Sequence, residues 1–178
     1  MVRNNTKRNL RLASFDGGGP RCFSQLMIME NIMHRLMWDI KPTESDKTLL
    51  PCDYFDLIGG SDTGGLLVIM LVRLRMSLED TMLEFSFIVE AVYKMDLQPK
   101  ERTERLRKCM ENLLARRGQP LDLKLESHMQ DDGCLGFVLA SSSRNLRDKI
   151  RLRTYIDHID PPSSITVGMI RLPPTKPG

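Results

Sequence analysis

Two glycine-rich turns contain the residues of this chain that are best suited to chemistry. Residues 16–21 read DGGGPR, and residues 60–64 read GSDTG. Consecutive glycines at the start of a helix expose backbone N–H groups, which together bind an anion or stabilise a developing oxyanion. The first turn is therefore predicted to be an oxyanion-binding or anion-binding loop, although a plain tight turn would explain the same residues.

The first turn fits neither of the common nucleotide-binding loops. The dinucleotide fingerprint G-x-G-x-x-G needs a glycine where this chain has Cys22, and no ribose-binding acid is evident after the second predicted strand. The lysine of a Walker A loop is also missing from this turn. No cofactor is therefore predicted.

The second turn has the sequence context of a nucleophile elbow, G-x-S-x-G, whose central residue presents its side chain from a sharp, strained turn. Here the central residue is Asp62, and the nearest serine, Ser61, stands one position earlier. A shift of one residue points the side chain in another direction, so Ser61 is a poor substitute. Asp62 could itself attack an ester, but the product would be a reactive anhydride, and this chemistry is not favoured.

The elements that position these turns follow from the spacing of the apolar residues. Strands are predicted over residues 10–15, 54–58, 135–140 and 149–155, and residues 39–52 are predicted to be a loop. Helices are predicted over residues 21–38, from 63 onward, from Ser77 as N-cap to about 94, and over 101–117 before Gly118 and Pro120. This order predicts an α/β layered domain with a partly parallel sheet.

The composition narrows the class of protein further. The chain has 178 residues, of which 41 % are hydrophobic and 28 % charged, which argues against a disordered or fibrous protein. Its net charge of +3 is too small to indicate a nucleic-acid partner. The longest apolar run, residues 66–72, is too short to span a bilayer, and the N-terminus lacks the apolar core of a secretory signal. A cytoplasmic location, peripheral to membranes, is predicted.

The remaining chemically capable side chains are assigned to packing. The four cysteines include no CxxC pair and the three histidines are scattered, so no metal site is predicted, and each cysteine is expected to be a small buried residue. His34 is expected to be partly buried. Core positions rather than a lipid groove are expected for the aromatic and methionine side chains of the first helix, namely Trp38, Met27, Met29, Met33 and Met37.

Taken together, the two turns resemble the patatin-like phospholipase (PNPLA) family of the fungal type. The matching stretches are LRLASFDGGGPR and YFDLIGGSDTGG, with a weaker match at FVLASSSRNLRDKIRLRTYIDHIDPPS. The resemblance covers residues 9–164 and leaves a basic tail over 1–8 and a Pro-rich tail over 165–178. It implies a three-layer α/β/α sandwich with a mainly parallel sheet, and hydrolysis of phospholipid and acylglycerol esters by a Ser–Asp dyad.

The resemblance assigns roles by position in the two motifs. It places Asp62 where the family has its nucleophilic serine, and Cys22 where the family has the last glycine of the first motif. The oxyanion-hole motif falls on Gly17, Gly18, Gly19 and Arg21, and the elbow falls on Gly60, Ser61, Thr63 and Gly64. The family's second aspartate, in a DGG or DGA motif, would lie beyond residue 178, so the C-terminal part of the fold is expected to be missing; residues 131–133 (DDG) are expected to be a loop turn.

These departures predict an impaired enzyme. Loss of the nucleophile from a catalytic triad lowers turnover by about 10⁶-fold, roughly 8 kcal/mol of barrier. A carboxylate at position 62 would also lie close to the oxyanion-hole donors and repel the charge that they stabilise.

Three alternatives stay open. The chain could be a non-catalytic module that binds lipid or a partner chain, as the N-terminal part of a larger multidomain fungal protein. In that case the basic stretches 94–117 and 144–153 would face an anionic membrane, although a solvated surface explains them equally. It could be a partial gene product with no independent role, or an unrelated α/β domain with two fortuitous glycine turns.

Overall fold

The computed structural model describes residues 9–40, 49–94, 96–126, 133–141 and 149–155. Over these ranges the chain is an α/β fold of four strands and five helices. The strands are β1 (Leu12–Phe15), β2 (Leu57–Ser61), β3 (Leu135–Ser141) and β4 (Lys149–Arg153). The helices are α1 (Cys22–Ile40), α2 (Pro51–Tyr54), α3 (Thr63–Val68), α4 (Leu78–Val92) and α5 (Pro99–Arg116).

The four strands form one mostly parallel sheet in the order β1-β2-β3-β4. The β1–β2 and β2–β3 pairs are parallel, and β3–β4 is antiparallel, which confirms the α/β class and the partly parallel sheet. Phe15 pairs with Gly60, so the carboxyl ends of β1 and β2 lie side by side at one edge of the sheet. Both glycine-rich turns leave the sheet at this edge.

The start of the second strand was predicted wrongly. Residues 51–54 form α2, which begins with Pro51 at a first-turn position where its missing N–H costs nothing. The strand begins only at Leu57, after Asp56 has bonded to Arg11: the Arg11 N–H donates to Asp56 Oδ2 at 2.8 Å, and Arg11 O accepts from the Asp56 N–H at 2.8 Å. The predicted loop over 39–52 is likewise shorter, because α1 runs to residue 40; residues 41–48 lie outside the described ranges.

The centre of the core is α3. All six of its residues are buried, and the chain continues as a π-helical turn over Ile69–Arg73, of which the first four residues are also buried. The Gly65 backbone lies against Val138 of β3, because a Cβ on this glycine would be only 2.5 Å from the Val138 side chain. The predicted buried helix is confirmed, and it packs on the sheet face that carries Phe15, Ile58 and Val138.

The ends of α4 and α5 follow the predicted signals. Ser77 Oγ accepts a hydrogen bond from the Asp80 N–H at 3.0 Å, which satisfies one of the free donors at the start of α4. After α5, Gly118 adopts a φ of +62°, a left-handed conformation that closes the helix.

Only one stripe of α1 is buried, and this corrects part of the sequence prediction. Met29 and Met33 are in the core, as expected, whereas Trp38 is 80 % exposed and Met27 is 57 % exposed. His34 is also exposed rather than partly buried. The reason is that α1 packs on the core along one side only, where the Phe23 and Phe85 rings meet at 4.9 Å between centroids.

The opposite face of the sheet has a different character. Among the described residues, it carries the exposed apolar side chains of Leu12, Leu135 and Leu139. The Phe137 ring lies over Gly59 on this face. None of the helices in the described ranges is both long enough and apolar enough to cross a membrane. The two predicted tails, 1–8 and 165–178, the C-terminal part of the 9–164 unit and Asp131–Asp132 of the DDG turn lie outside the described residues.

Candidate functional site

The two glycine-rich turns meet at the carboxyl edge of the sheet. The Ser61 Oγ–H donates to Asp16 Oδ1 at 2.8 Å, which ties the end of β2 to the end of β1. This bond, together with one from the Gly17 N–H, lowers the pKa of the exposed Asp16 carboxyl. Ser61 therefore holds the two turns together, and its hydroxyl is already committed to a carboxylate.

Asp62 occupies the apex of the second turn, between β2 and α3. Its backbone has φ +50° and ψ −122°, a conformation that L-residues rarely adopt, and its side chain is exposed. Such strain is kept where the surrounding structure enforces it, and it is concentrated at functional sites. The turn thus has the sharp, strained geometry that a nucleophile elbow requires.

Gly60 and Gly64 enforce this geometry by allowing the backbone to come close. A Cβ on Gly60 would lie 2.5 Å from the Gly64 carbonyl oxygen. A Cβ on Gly64 would lie 2.3 Å from the Phe15 carbonyl oxygen of β1. Any larger residue at these two positions of the predicted elbow would collide with backbone atoms, which cannot move aside as a side chain could.

The Asp62 side chain lies against the first turn. A Cβ on Gly17 would be 2.8 Å from both Cβ and Oδ2 of Asp62, so Gly17 leaves the space that this carboxylate fills. The next two glycines turn the chain into α1 with positive φ, +146° for Gly18 and +57° for Gly19. Of the predicted oxyanion-hole residues, Gly17 is thus brought against the predicted nucleophile position, Asp62.

Most of the N–H groups in the first turn already have acceptors. The Gly17 N–H donates to Asp16 Oδ1 at 3.0 Å, and the Gly19 N–H donates to Thr63 Oγ1 at 3.2 Å. The Gly18 N–H has no acceptor among the residues that the structure describes. The Arg21 N–H bonds back to the Gly18 oxygen, while its side chain is exposed. Gly18 is therefore the donor of this turn that is best placed to serve an added anion.

Sequence reasoning missed two polar side chains of the site. Gln25 on α1 bonds to the backbone of Asp16 twice. Its Oε1 accepts the Asp16 N–H at 2.9 Å, and its Nε2 donates to the Asp16 carbonyl oxygen at 3.0 Å. Tyr93, at the end of α4, has its hydroxyl 2.7 Å from Thr63 Oγ1. Gln25 could have been found from its place on the first turn of α1, but Tyr93 belongs to no motif.

Cys22, the residue that departs from the glycine pattern, is fully buried. Burial, reinforced by the negative charges of Asp62 and Asp16, raises the pKa of its thiol to about 11. Its Sγ–H donates to the backbone carbonyl oxygen of Asp16 at 3.5 Å. Because the thiolate is the nucleophilic form, Cys22 is a packing residue and not a substitute nucleophile.

The site holds no preformed metal cluster within the described ranges, where no three His, Cys, Asp or Glu side chains come together to hold an ion. The four cysteines are free: Cys22 and Cys52 are buried, as predicted, and Cys109 and Cys134 are partly exposed.

Comparison with known proteins adds no family assignment. No family model matches the chain, and a search of curated proteins gives no match either. The resemblance to patatin-like phospholipases therefore stays a prediction that depends on the two turns and their geometry.

Proposed function

We propose that the chain is a patatin-like domain, built as the scaffold of a lipid acyl hydrolase, in which Asp62 replaces the nucleophile and ester hydrolysis is lost. The three-layer sandwich expected of that family is part of this proposal. The observation that carries it is the position of Asp62 at the apex of a strained strand–turn–helix, directly against Gly17 of the glycine turn. A hydrolase needs its nucleophile and its oxyanion donors in this relation.

The same geometry explains why this chain would be inactive. A carboxylate at position 62 places negative charge beside Gly17, where the transition state of ester hydrolysis would develop its own negative charge. The neighbouring hydroxyl of Ser61 is bonded to Asp16, so it does not replace the missing nucleophile. In a triad hydrolase, removal of the nucleophile alone costs about 10⁶-fold in turnover.

The first test is the reactivity of the unmodified chain. Treatment with a fluorophosphonate probe is expected to label no serine, and hydrolysis of a p-nitrophenyl ester is expected to match the rate in buffer. Intact-mass spectrometry detects the adduct, and a known serine hydrolase treated in parallel verifies the probe. Labelling of Ser61, or ester turnover that Ser61→Ala abolishes, would contradict the proposed loss of activity.

A non-catalytic lipid-binding module is a second candidate, which one observation favours. Helix α1 starts directly after the glycine turn. Its outward side exposes the apolar side chains of Met27, Ile28 (62 %) and Trp38 (80 %). Apolar side chains on one face of a surface helix are typical of segments that lie in the membrane interface. Helix α5, which the sequence analysis offered as a basic surface, presents less positive charge than its sequence suggested.

Within residues 94–117, several of the basic side chains are paired with acidic ones. Arg105 bonds to Glu101, Arg116 to Glu84, and Arg117 to Asp80. These pairs reduce the positive charge that α5 could present to an anionic surface. Lipid binding, if it occurs through α1, should therefore depend on apolar contact more than on lipid charge.

Vesicle co-sedimentation tests this second candidate. The chain is expected to pellet with phosphatidylcholine vesicles, and added phosphatidylserine should change the bound fraction little. Ile28→Glu should weaken binding roughly tenfold, because it replaces an apolar side chain with a charge at the interface. Leu83→Glu, at a similarly exposed position on α4 (57 %), serves as the matched control and should bind like the unmodified chain. Equal loss in both variants, or no pelleting at all, would rule out docking through α1.

A further inference from the structure

Tyr93 contacts both glycine-rich turns from a third element of the fold. It lies at the C-terminal end of α4, partly buried, thirty residues after Thr63. Its ring lies on the first turn, since a Cβ on Gly19 would be 2.8 Å from the Tyr93 ring. Its hydroxyl reaches the second turn, 2.7 Å from Thr63 Oγ1. One side chain therefore joins the two halves of the site.

Either hydroxyl could donate in this contact, and the hydrogen-bond capacity of Thr63 favours Tyr93 as the donor. A threonine hydroxyl has one proton and two lone pairs. One lone pair accepts the Gly19 N–H at 3.2 Å, and Thr63 Oγ1 donates its proton to Asp62 Oδ2 across a long distance of 3.5 Å. When Tyr93 donates to the remaining lone pair, all three positions of the Thr63 hydroxyl are used. In that arrangement Tyr93 donates to Thr63, and Thr63 donates to the Asp62 carboxylate.

The arrangement matters because the groups involved are buried. Thr63 is 0 % exposed, and Gly19 is buried in a left-handed conformation with φ +57°. A buried N–H without an acceptor costs free energy, so Gly19 depends on the orientation of the Thr63 hydroxyl. Burial also raises the pKa of the Tyr93 hydroxyl, which therefore keeps its proton at neutral pH.

We infer that Tyr93 is a positioning residue of the candidate site: its hydroxyl orients Thr63, and Thr63 in turn holds the Gly19 N–H, which fixes the glycine turn against the Asp62 turn. Tyr93 acts at the same site as the proposed function, and a catalytic role for this contact depends on that proposal. The positioning role also concerns the unmodified chain directly, because the Gly19 hydrogen bond is present there.

Amide hydrogen exchange at Gly19, followed by NMR, tests the inference in the absence of any activity. Tyr93→Phe keeps the ring and removes the hydroxyl, and it should speed exchange of the Gly19 amide about three- to tenfold. Thr63→Val should speed it at least as much, whereas Thr63→Ser should retain the protection. Tyr54→Phe, at the far end of the sheet, is the matched control and should leave Gly19 unchanged.

A double-mutant cycle separates positioning from general support. If Tyr93 acts through Thr63, the variant carrying both Tyr93→Phe and Thr63→Val should exchange at Gly19 within about twofold of Thr63→Val alone. The global free energy of unfolding is measured for every variant, so that a general loss of stability is recognised. An additive effect in the double variant, or a Gly19 amide that exchanges normally in Tyr93→Phe, would overturn the inference.

A second readout uses the Asp62→Ser background, where a serine is restored at the apex. Adding Tyr93→Phe should lower the rate of fluorophosphonate labelling about tenfold at a given concentration of the probe. Equal labelling with and without Tyr93→Phe would overturn the catalytic meaning of the contact. If Asp62→Ser is not labelled at all, the turn does not activate a serine and the catalytic meaning of the contact is overturned, while amide exchange at Gly19 still decides whether Tyr93 positions the turn.

Discussion

Gly64→Ala is expected to lower the free energy of unfolding by about 3 kcal/mol or more. A methyl group at this position would lie 2.3 Å from the Phe15 carbonyl oxygen and 2.7 Å from the Asp16 carbonyl oxygen, and both are backbone atoms where β1 passes into the first turn. Overpacking usually costs 1–3 kcal/mol, and the cost is highest where no flexible side chain can yield. Either β1 or α3 has to move, so the two turns would separate. Urea unfolding followed by circular dichroism measures the loss.

The matched control for this substitution is Gly133→Ala. Its nearest neighbour is the end of a flexible side chain, Arg75 Nη1 at 3.9 Å from the position of the added Cβ. The change in stability should therefore be within about 0.5 kcal/mol, as for most surface substitutions. A Gly64→Ala variant as stable as Gly133→Ala would mean that the close approach of the two turns is not as described.

Asp62→Ser is expected to form a fluorophosphonate adduct at the substituted position at least about 100-fold faster than at any other serine of the chain. The substitution removes a negative charge and places a hydroxyl at the apex of the strained turn, beside Gly17. The N–H of the residue after the nucleophile, here Thr63, and the N–H of Gly18 are the donors that could stabilise the attacked phosphoryl oxygen. Loss of one such donor typically costs 10²–10³-fold, which sets the expected scale.

Two further variants make this result specific. Asp62→Asn removes the charge but supplies no hydroxyl, so it should remain unlabelled. Adding Ser61→Ala to Asp62→Ser should leave the adduct in place, because the Ser61 hydroxyl is bonded to Asp16 and does not react. A folded Asp62→Ser chain with no adduct after prolonged treatment would contradict the prediction that the strained apex and its N–H donors activate a serine without the family's second aspartate.

The two turns could be predicted from the sequence because their glycines are needed locally. Gly60 avoids a contact with Gly64, four residues later, and this local requirement is visible as a short pattern. The contact that Gly64 avoids with Phe15 joins distant parts of the chain and is not visible in that pattern. The capping serine, Ser77, is visible for the same local reason as Gly60, since it bonds to a residue only three positions later. Features determined within a few residues of each other leave a signal in the order of the amino acids.

The contribution of Tyr93 could not be predicted, because it depends on the path of α4 through the fold. The partners Thr63 and Tyr93 are thirty residues apart, and no periodicity relates them. The misjudged burial of Trp38 has a similar cause. The apolar spacing of α1 is wide enough for a fully buried helix, but packing along one side leaves Trp38 80 % exposed.

The strand order of the sheet has a consequence for how the chain assembles. In the described part of the chain, each strand pairs with the one that precedes it in the sequence, in the order β1-β2-β3-β4. Domains begin to fold from the N-terminal end during synthesis. Each of these strands can therefore pair with the strand before it as soon as it leaves the ribosome. None of them has to be inserted later between two strands that are already in place.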